Sequence, residues 1–157
     1  MKASTNGVTQ ADVQFSVFLA NKPGVLARVC QRLADDHVNI VALSMMDATE
    51  HGVLRMVVQD PERARKSLVA VNVPMTESAV LLTTLPNRPG ALADVVKRLS
   101  THHISVNYAY LSTGAAGGKT IGVFRVSDMK KAAQLLSERR PQRKGMTVPR
   151  LTPGRRT

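Results

Sequence analysis

One stretch of twenty residues occurs twice in this chain. Residues 19–38 read LANKPGVLARVCQRLADDHV and residues 85–104 read LPNRPGALADVVKRLSTHHI, and ten of the aligned positions are identical. Self-similarity over this length indicates two copies of one small structural unit. A unit of half this 157-residue chain buries little apolar surface alone, so we expect the two copies to cover each other.

The composition predicts a soluble globular protein. The chain is 43% hydrophobic and 21% charged, and it contains no apolar run near the roughly 20 residues needed to cross a bilayer. It also lacks the charged start and apolar stretch of a signal peptide, which predicts a cytoplasmic location and no membrane partner. The single cysteine, Cys30, excludes a disulfide or a multi-thiolate metal site within one chain.

The positive charge is concentrated at the C-terminus. Of the net charge of +11, seven units fall after Glu138, in a stretch without acidic residues. These seven residues are Arg139, Arg140, Arg143, Lys144, Arg150, Arg155 and Arg156. We interpret residues 139–157 as a basic, disordered tail and residues 1–11 as a flexible N-terminus, because both lack apolar patterning.

The pattern of apolar residues predicts the element order βαββαβ in each copy. In residues 12–76 we expect strands at 13–19, 38–46, 52–58 and 73–76, a helix after Pro23-Gly24, and a second helix beginning at Asp60-Pro61. In residues 77–138 we expect strands at 79–85, 104–112 and 119–126 and helices at 90–101 and from 128. A last strand of this copy is a weaker prediction at 146–149.

The ends of the elements have recognisable capping residues. Asp60 is a suitable N-cap, and Pro61 a suitable first helical residue. His37 and His103 occupy the predicted ends of the first helix of each copy, where a left-handed residue often terminates a helix. We expect the two antiparallel sheets to join edge to edge or to pack closely, and the protein to form a homodimer.

The bend Asn21-Lys22-Pro23-Gly24, repeated from Asn87 to Gly90, is the candidate binding element. The first backbone N–H groups of the following helix, near Val25 and Leu26, lack intrahelical partners and suit a carboxylate. A glycine allows close approach of a ligand, and the asparagine can contact an ammonium or carboxylate group. Alternatively, Asn21 caps the helix, Pro23 starts it and Gly24 only forms the turn, with no ligand involved.

The repeated pattern N-[KR]-P-G-[VA]-L-A, followed by H-V-N-I at residues 37–40, resembles the ACT-domain family. The resemblance covers residues 13–136 and implies an α+β fold of two ferredoxin-like βαββαβ modules in tandem. It also implies a regulatory role in which a free amino acid binds at the interface between modules. The residues that it assigns to binding are Asn21, Pro23, Gly24, Val25, Asn39, Ile40, Asn87, Pro89, Gly90, Ala91, Ser105 and Val106.

The sequence departs from the family pattern at three kinds of position. Leu19 and Leu85 stand where serine-binding members have a histidine, which favours an apolar amino acid. Ser105 stands where the first copy has Asn39, so the two sites are expected to be unequal. His37 and His103 replace the usual glycine.

Other function classes have weaker support. The histidines lack metal-ligand spacing and no nucleophile motif is present, so we predict a non-enzymatic protein without metal or cofactor. The family resemblance implies that it regulates a metabolic enzyme. An RNA-recognition sheet requires stacking aromatics, but the chain is 3% aromatic, and Tyr108 and Tyr110 are expected to fill a core or an interface. The alternatives are nucleic-acid binding through the basic tail and a ligand-free dimerisation scaffold.

Overall fold

The structure, a computed structural model, describes residues 9–46, 51–115 and 118–138. The elements alternate as the sequence pattern predicts. They are β1 (Gln10–Ala20), α1 (Val25–Asp35), β2 (Ile40–Met46), β3 (His51–Val58), α2 (Pro61–Ala70), β4 (Met75–Pro86), α3 (Ala91–Thr101), β5 (Val106–Ala115), β6 (Lys119–Val126) and α4 (Met129–Ser137).

All six strands form one antiparallel sheet in the order β2-β3-β1-β4-β6-β5. The two copies therefore join edge to edge, through β1 and β4, and the prediction of tandem ferredoxin-like α+β modules is confirmed. One prediction is wrong in detail: the expected strands at 73–76 and 79–85 form a single strand, β4. The intervening Glu77 and Ser78 contain no turn signal, and both pair with β1.

β1 and β4 each serve both copies. The start of β4 lies against Ser16 and Val17, as the fourth strand of the first copy. In the same way, the start of β1, which begins at Gln10, lies against Ser78–Leu82 and takes the position of the fourth strand in the second copy. Because β1 already fills this position, the sheet is complete without the strand expected at 146–149, which lies outside the described residues.

A local twofold axis relates the two copies. Val13 pairs with Ala79, and these residues occupy equivalent positions at the offset of 66 residues. In an antiparallel pair, equivalent residues that face each other mark an axis perpendicular to the sheet. The axis therefore places the four helices on the same face of the sheet.

Two apolar cores lie between the sheet and the helices. Side chains of alternate strand residues pack against the inner stripes of α1 and α2 in the first copy and of α3 and α4 in the second. The largest fully buried members are Phe15, Leu19, Leu33, Leu54, Met56, Leu68, Leu81, Leu99 and Phe124. Burying one such side chain contributes about 1.5–3 kcal/mol, so these two cores supply most of the driving force for folding.

The helix-free face of the sheet is covered by the sheet itself. A third core on this face consists of Ala42, Val57, Val80, Leu82 and Val123. The sheet curves so far that residues of its two edge strands, β2 and β5, lie within 8 Å of each other between Cα atoms. This curvature makes the helix-free face concave and encloses the third core.

The helix caps follow the sequence prediction. The carboxylate of Asp60 accepts a hydrogen bond from the backbone N–H of Arg63 at 3.0 Å, and Asp128 caps α4 in the same way. His37 and His103 have φ of 54° and 56°. Beyond each histidine, the next N–H donates to the carbonyl five residues earlier, which satisfies a carbonyl group at the helix end.

An ion pair links α2 to β4. Arg65 donates two hydrogen bonds to the carboxylate of Glu77, at 2.6 and 2.7 Å, and also contacts Glu62 at 2.6 Å. The bonds from Arg65 lower the pKa of Glu77, against a smaller opposing effect of burial. The interaction fixes α2 on the strand that the two copies share.

We expect His37→Gly and His103→Gly each to stabilise the protein. A non-glycine residue in the left-handed region carries a steric cost of about 1 kcal/mol that glycine avoids, although glycine also loses more entropy on folding. The gain is therefore expected to be somewhat below 1 kcal/mol in urea unfolding. His102, the neighbour of His103 with φ of −102°, is the control: His102→Gly should destabilise, and a loss of stability at 37 and 103 would contradict the argument.

We expect Glu77→Gln to reduce the free energy of unfolding by up to about 1 kcal/mol at pH 7, because the pair is only partly shielded from solvent. The folded-state pKa of Glu77 is lowered, so its contribution is present above the unfolded value of about 4.3 and is lost as the pH falls further. Thermal unfolding from pH 7 to pH 3 should show the two proteins converging at acidic pH. Glu62→Gln, which removes a more exposed partner of the same arginine, should have a smaller effect, and a Glu77→Gln difference as large at pH 3 as at pH 7 would contradict this origin.

Candidate functional site

The two repeated bends have the same backbone geometry. In the first, the N–H of Lys22 donates to the carbonyl of Ala20 at 2.8 Å, and Gly24 forms the helix N-cap with φ of 86°. In the second, Arg88 and Gly90 repeat this arrangement, with φ of 83° at the glycine. Since neither helix receives a side-chain cap, capping does not occupy the asparagine of either bend.

Each bend leaves backbone donors exposed at a helix N-terminus. The N–H of Val25 turns towards the carbonyl of Lys22, at 3.4 Å, and the regular helical pattern begins when Arg28 donates to Gly24. Within the described residues, the N–H groups of Leu26 and Ala27 and the side chain of Asn21 have no hydrogen-bond partner. These donors lie at the positive end of α1 and suit a carboxylate.

A pocket of about 390 Å³ adjoins the first bend. The bend provides one wall, through Asn21, Pro23 and Gly24. The other wall is apolar and consists of Leu19, Leu26, Met45 and Gly52. A volume of this size with one polar and one apolar side is sufficient for a small amphipathic molecule.

Gly52 keeps the apolar wall open. A Cβ atom at this position would lie 2.9 Å from Cε of Met45, so any side chain would displace the methionine. Gly52 pairs with Leu19 across the sheet, and in the second copy Leu85, the equivalent of Leu19, pairs with Thr120. The second copy therefore has a side chain, that of Thr120, at the place where the first copy has a glycine.

The charges around the two bends also differ. In the first turn of α3, Asp94 forms an ion pair with Arg88 at 2.9 Å. The equivalent of Asp94 in α1 is Arg28, and the first bend also contains Lys22. Because a carboxylate near a helix N-terminus repels a second anion, the first bend is electrostatically the better anion site.

The structure brings together only part of the predicted binding residues. Asn21, Pro23 and Gly24 line the first pocket, and Ser105 and Val106 line a second pocket of about 540 Å³ beside α3. The side chains of Val25 and Ala91 pack into the two cores instead. Asn87, Pro89 and Gly90 are exposed at the second bend.

Asn39 and Ile40 lie far from the bend of their own copy. Ile40 pairs with Val58, in the row of the sheet that contains Val13, whereas the Asn21 bend follows Ala20. The row of Val13 and the row of Ala20 are seven residues apart along β1, which corresponds to about 23 Å. The carbonyl of Asn39 accepts a hydrogen bond from Gln59, so this residue also joins β2 to the end of β3.

The two bends lie at opposite ends of the sheet, because β1 and β4 run antiparallel and each bend follows its strand. A crevice that contains both bends does not form within the described part of one chain. Exposed apolar side chains, among them Leu26 and Met45, surround the pocket at the first bend. The equivalent residues of the second copy, Leu92 and Leu111, are also exposed. Such a group of exposed apolar side chains at the edge of the sheet is suited to contact with another protein molecule.

Met45 and Gly52 were not identified as site residues from the sequence. The similarity of Gly52-Val53-Leu54-Arg55 to Gly122-Val123-Phe124-Arg125 did not mark the site, because strand pairing makes Thr120, and not Gly122, the equivalent of Gly52. Among the described residues, no His, Cys, Asp or Glu cluster could hold a metal ion. None of the helices in the described ranges has the length and hydrophobicity of a membrane span.

Comparison with known proteins identifies the fold. The protein BT0572 from Bacteroides thetaiotaomicron is 33% identical in sequence, with a TM-score of 0.75 over 82% of this chain and 88% of that one. The ligand-free regulatory subunit of aspartate kinase from Thermus thermophilus has a TM-score of 0.60 at 13% identity, over 83% and 97% of the two chains. The regulatory subunit of aspartate kinase from Thermus flavus has a TM-score of 0.56 at 15% identity, over 84% and 95%.

Among proteins of curated function, none matches this chain. A family model described as an ACT domain pair matches residues 11–142, which include every described helix and strand except Gln10 at the start of β1. The chain therefore belongs to the family of ACT domain pairs.

Proposed function

We propose that the protein is a non-enzymatic regulator that binds a free amino acid at the first bend. The observation that carries this proposal is the pocket beside Asn21, which has an apolar wall and adjoins backbone N–H groups that have no partner among the described residues. The carboxylate would accept hydrogen bonds from the N–H groups of Leu26 and Ala27, and Asn21 would bind the ammonium group. The side chain would lie against Leu19 and Met45, which favours an apolar amino acid over a polar one.

The proposed site requires a second chain. The predicted contacts at Asn39 and Ile40 are too far from Asn21 to reach the same small molecule, and the same separation applies in the second copy. A homodimer could supply these residues from the partner, by burying the exposed apolar edges at Leu26 and Met45. A ligand held between two chains stabilises the assembled form, which couples amino-acid concentration to assembly.

The regulated partner is proposed to be an enzyme of amino-acid metabolism. The support is indirect: aspartate kinase regulatory subunits share the fold, at identities too low to indicate the same ligand. The rival proposal of nucleic-acid binding rests on the basic tail, which lies outside the described residues. On the sheet, Tyr108 and Tyr110 hydrogen-bond to Gln14 and so are poorly placed to stack on bases.

Calorimetric titration with the standard free amino acids should detect binding of one or more apolar members. Asn21→Ala should weaken the affinity by about tenfold or more, equivalent to about 1.4 kcal/mol. Asn87→Ala is the matched control and should have a much smaller effect, because Asp94 and Thr120 make the second bend less suitable. Both variants should retain wild-type stability, since neither asparagine makes a side-chain hydrogen bond within the described residues.

Two results would count against the proposal. Absence of heat and of thermal stabilisation with every amino acid would remove it. Equal loss of affinity in Asn21→Ala and Asn87→Ala would contradict the preference for the first bend.

Met45→Glu should weaken self-association by about tenfold or more in sedimentation experiments, because it introduces a charge into the proposed dimer edge. Val69→Glu is the control. Val69 is the most exposed large apolar residue described, at 64%, but it lies on α2, away from the pocket. If both variants dimerise like the wild type, the edge formed by Leu26 and Met45 is not the interface.

A further inference from the structure

A polar cluster lies within the third core, on the helix-free face. Gln14 is fully buried there, although its neighbours Val57, Val80 and Val123 are apolar. Nε2 of Gln14 donates to Oη of Tyr108 at 2.9 Å, and Oε1 accepts from Oη of Tyr110 at 3.0 Å. Because the tyrosines lie on β5 and Gln14 lies on β1, the cluster spans the concave side of the sheet.

Every hydrogen atom of the Gln14 amide has a partner. The second Nε2 hydrogen is directed to Oγ of Ser16 at 3.2 Å, and the guanidinium of Arg55 lies 4.0 Å from the ring centre of Tyr108. A buried amide that is fully satisfied favours one arrangement strongly, since any shift leaves a donor or acceptor without a partner. The cluster therefore links β1 and β3 of the first copy to β5 of the second.

The cluster has no counterpart across the local twofold axis. Val80 is the equivalent of Gln14, and Ala42 and Ser44 are the equivalents of Tyr108 and Tyr110. Among the described residues, therefore, only one of the two edge strands is attached to the centre of the sheet by side-chain hydrogen bonds of this kind. The attached strand, β5, pairs on one side only, with β6, so strand pairing alone holds it weakly.

The hydroxyl group of Tyr110 stays protonated in this cluster. Burial raises the pKa of Tyr110 well above its ordinary range, and the neighbouring Tyr108 adds to this effect, whereas Arg55 opposes it. Tyr110 thus remains a hydrogen-bond donor to Gln14 at any physiological pH.

We propose that Gln14 is a positioning residue that fixes β5, and with it Ser105 and Val106 at its start, relative to the first copy. The inference concerns the coupling between the two copies and does not require the ligand of the proposed function. Loss of the cluster should lower the free energy at which β5 opens away from the sheet, although β5 stays paired with β6 in the folded form. The enclosed third core would then open at the gap between β2 and β5.

Hydrogen exchange of the full-length chain, read by mass spectrometry, tests this inference. In Tyr110→Phe and in Gln14→Val, amides of β5 should exchange about tenfold faster or more, while those of β2, β3 and α1 keep their wild-type rates. Valine is the residue that the second copy has at this place, so the substitution suits the surrounding core. Ser112→Ala removes a hydroxyl from the same face of β5 without touching Gln14 and should leave the exchange unchanged.

The protein offers a second, specific readout. It contains two tyrosines and no tryptophan, so near-ultraviolet circular dichroism and tyrosine fluorescence report mainly on this cluster. Gln14→Val should change both signals while the far-ultraviolet spectrum stays that of the wild type. The double variant of Gln14→Val and Tyr110→Phe should exchange no faster in β5 than Gln14→Val alone. The hydrogen bond that Tyr110→Phe removes is already lost in Gln14→Val.

Three outcomes would overturn the inference. They are unchanged exchange in β5 of both single variants, a uniform increase throughout the sheet, and fully additive effects in the double variant. If Gln14→Val does not fold, Tyr110→Phe retains the ring and decides the question by itself.

Discussion

Antiparallel pairing of β1 with β4 is the interaction on which the rest of the structure depends. It places Val13 opposite Ala79 and so fixes the twofold axis between the copies. Each strand then completes the sheet of the other copy, which gives each module a fourth strand and leaves no free edge between them. The same pairing directs the bends at Asn21 and Asn87 to opposite ends of the sheet, so neither bend can complete the site of the other.

The differences between the bends follow from single substitutions on an otherwise repeated backbone. Both glycine caps have nearly equal φ, so the backbone donors are equivalent in the two copies. Arg28 in one helix and Asp94 in the other reverse the charge beside these donors, and Thr120 stands in the second copy where the first has Gly52. A duplicated scaffold can therefore retain the same backbone and still make only one of its two bends suitable for a carboxylate.

The sequence predicted the elements whose causes are local. Asp60 and Asp128 cap helices where expected, and His37 adopts the left-handed conformation that its position at a helix end suggested. The continuity of β4 was not predictable in this way. Glu77 and Ser78 have no strong local preference for a strand, and they are extended because they pair with β1. The apolar wall of the pocket was missed for the same reason, since Met45 and Gly52 meet through strand register.

The positions at which the two copies differ reflect the curvature of the sheet. Toward the helices each copy packs against its own elements, and identical residues such as Leu33 and Leu99 serve both. On the concave face the copies meet each other across the axis, so a bulky side chain on one strand requires a small one on its equivalent. Tyr108 and Tyr110 on β5 accordingly correspond to Ala42 and Ser44 on β2. The large side chains on β5 and the small ones on β2 leave room for the buried amide of Gln14. This difference explains why, among the described edge strands, β5 and not β2 is attached to the centre of the sheet.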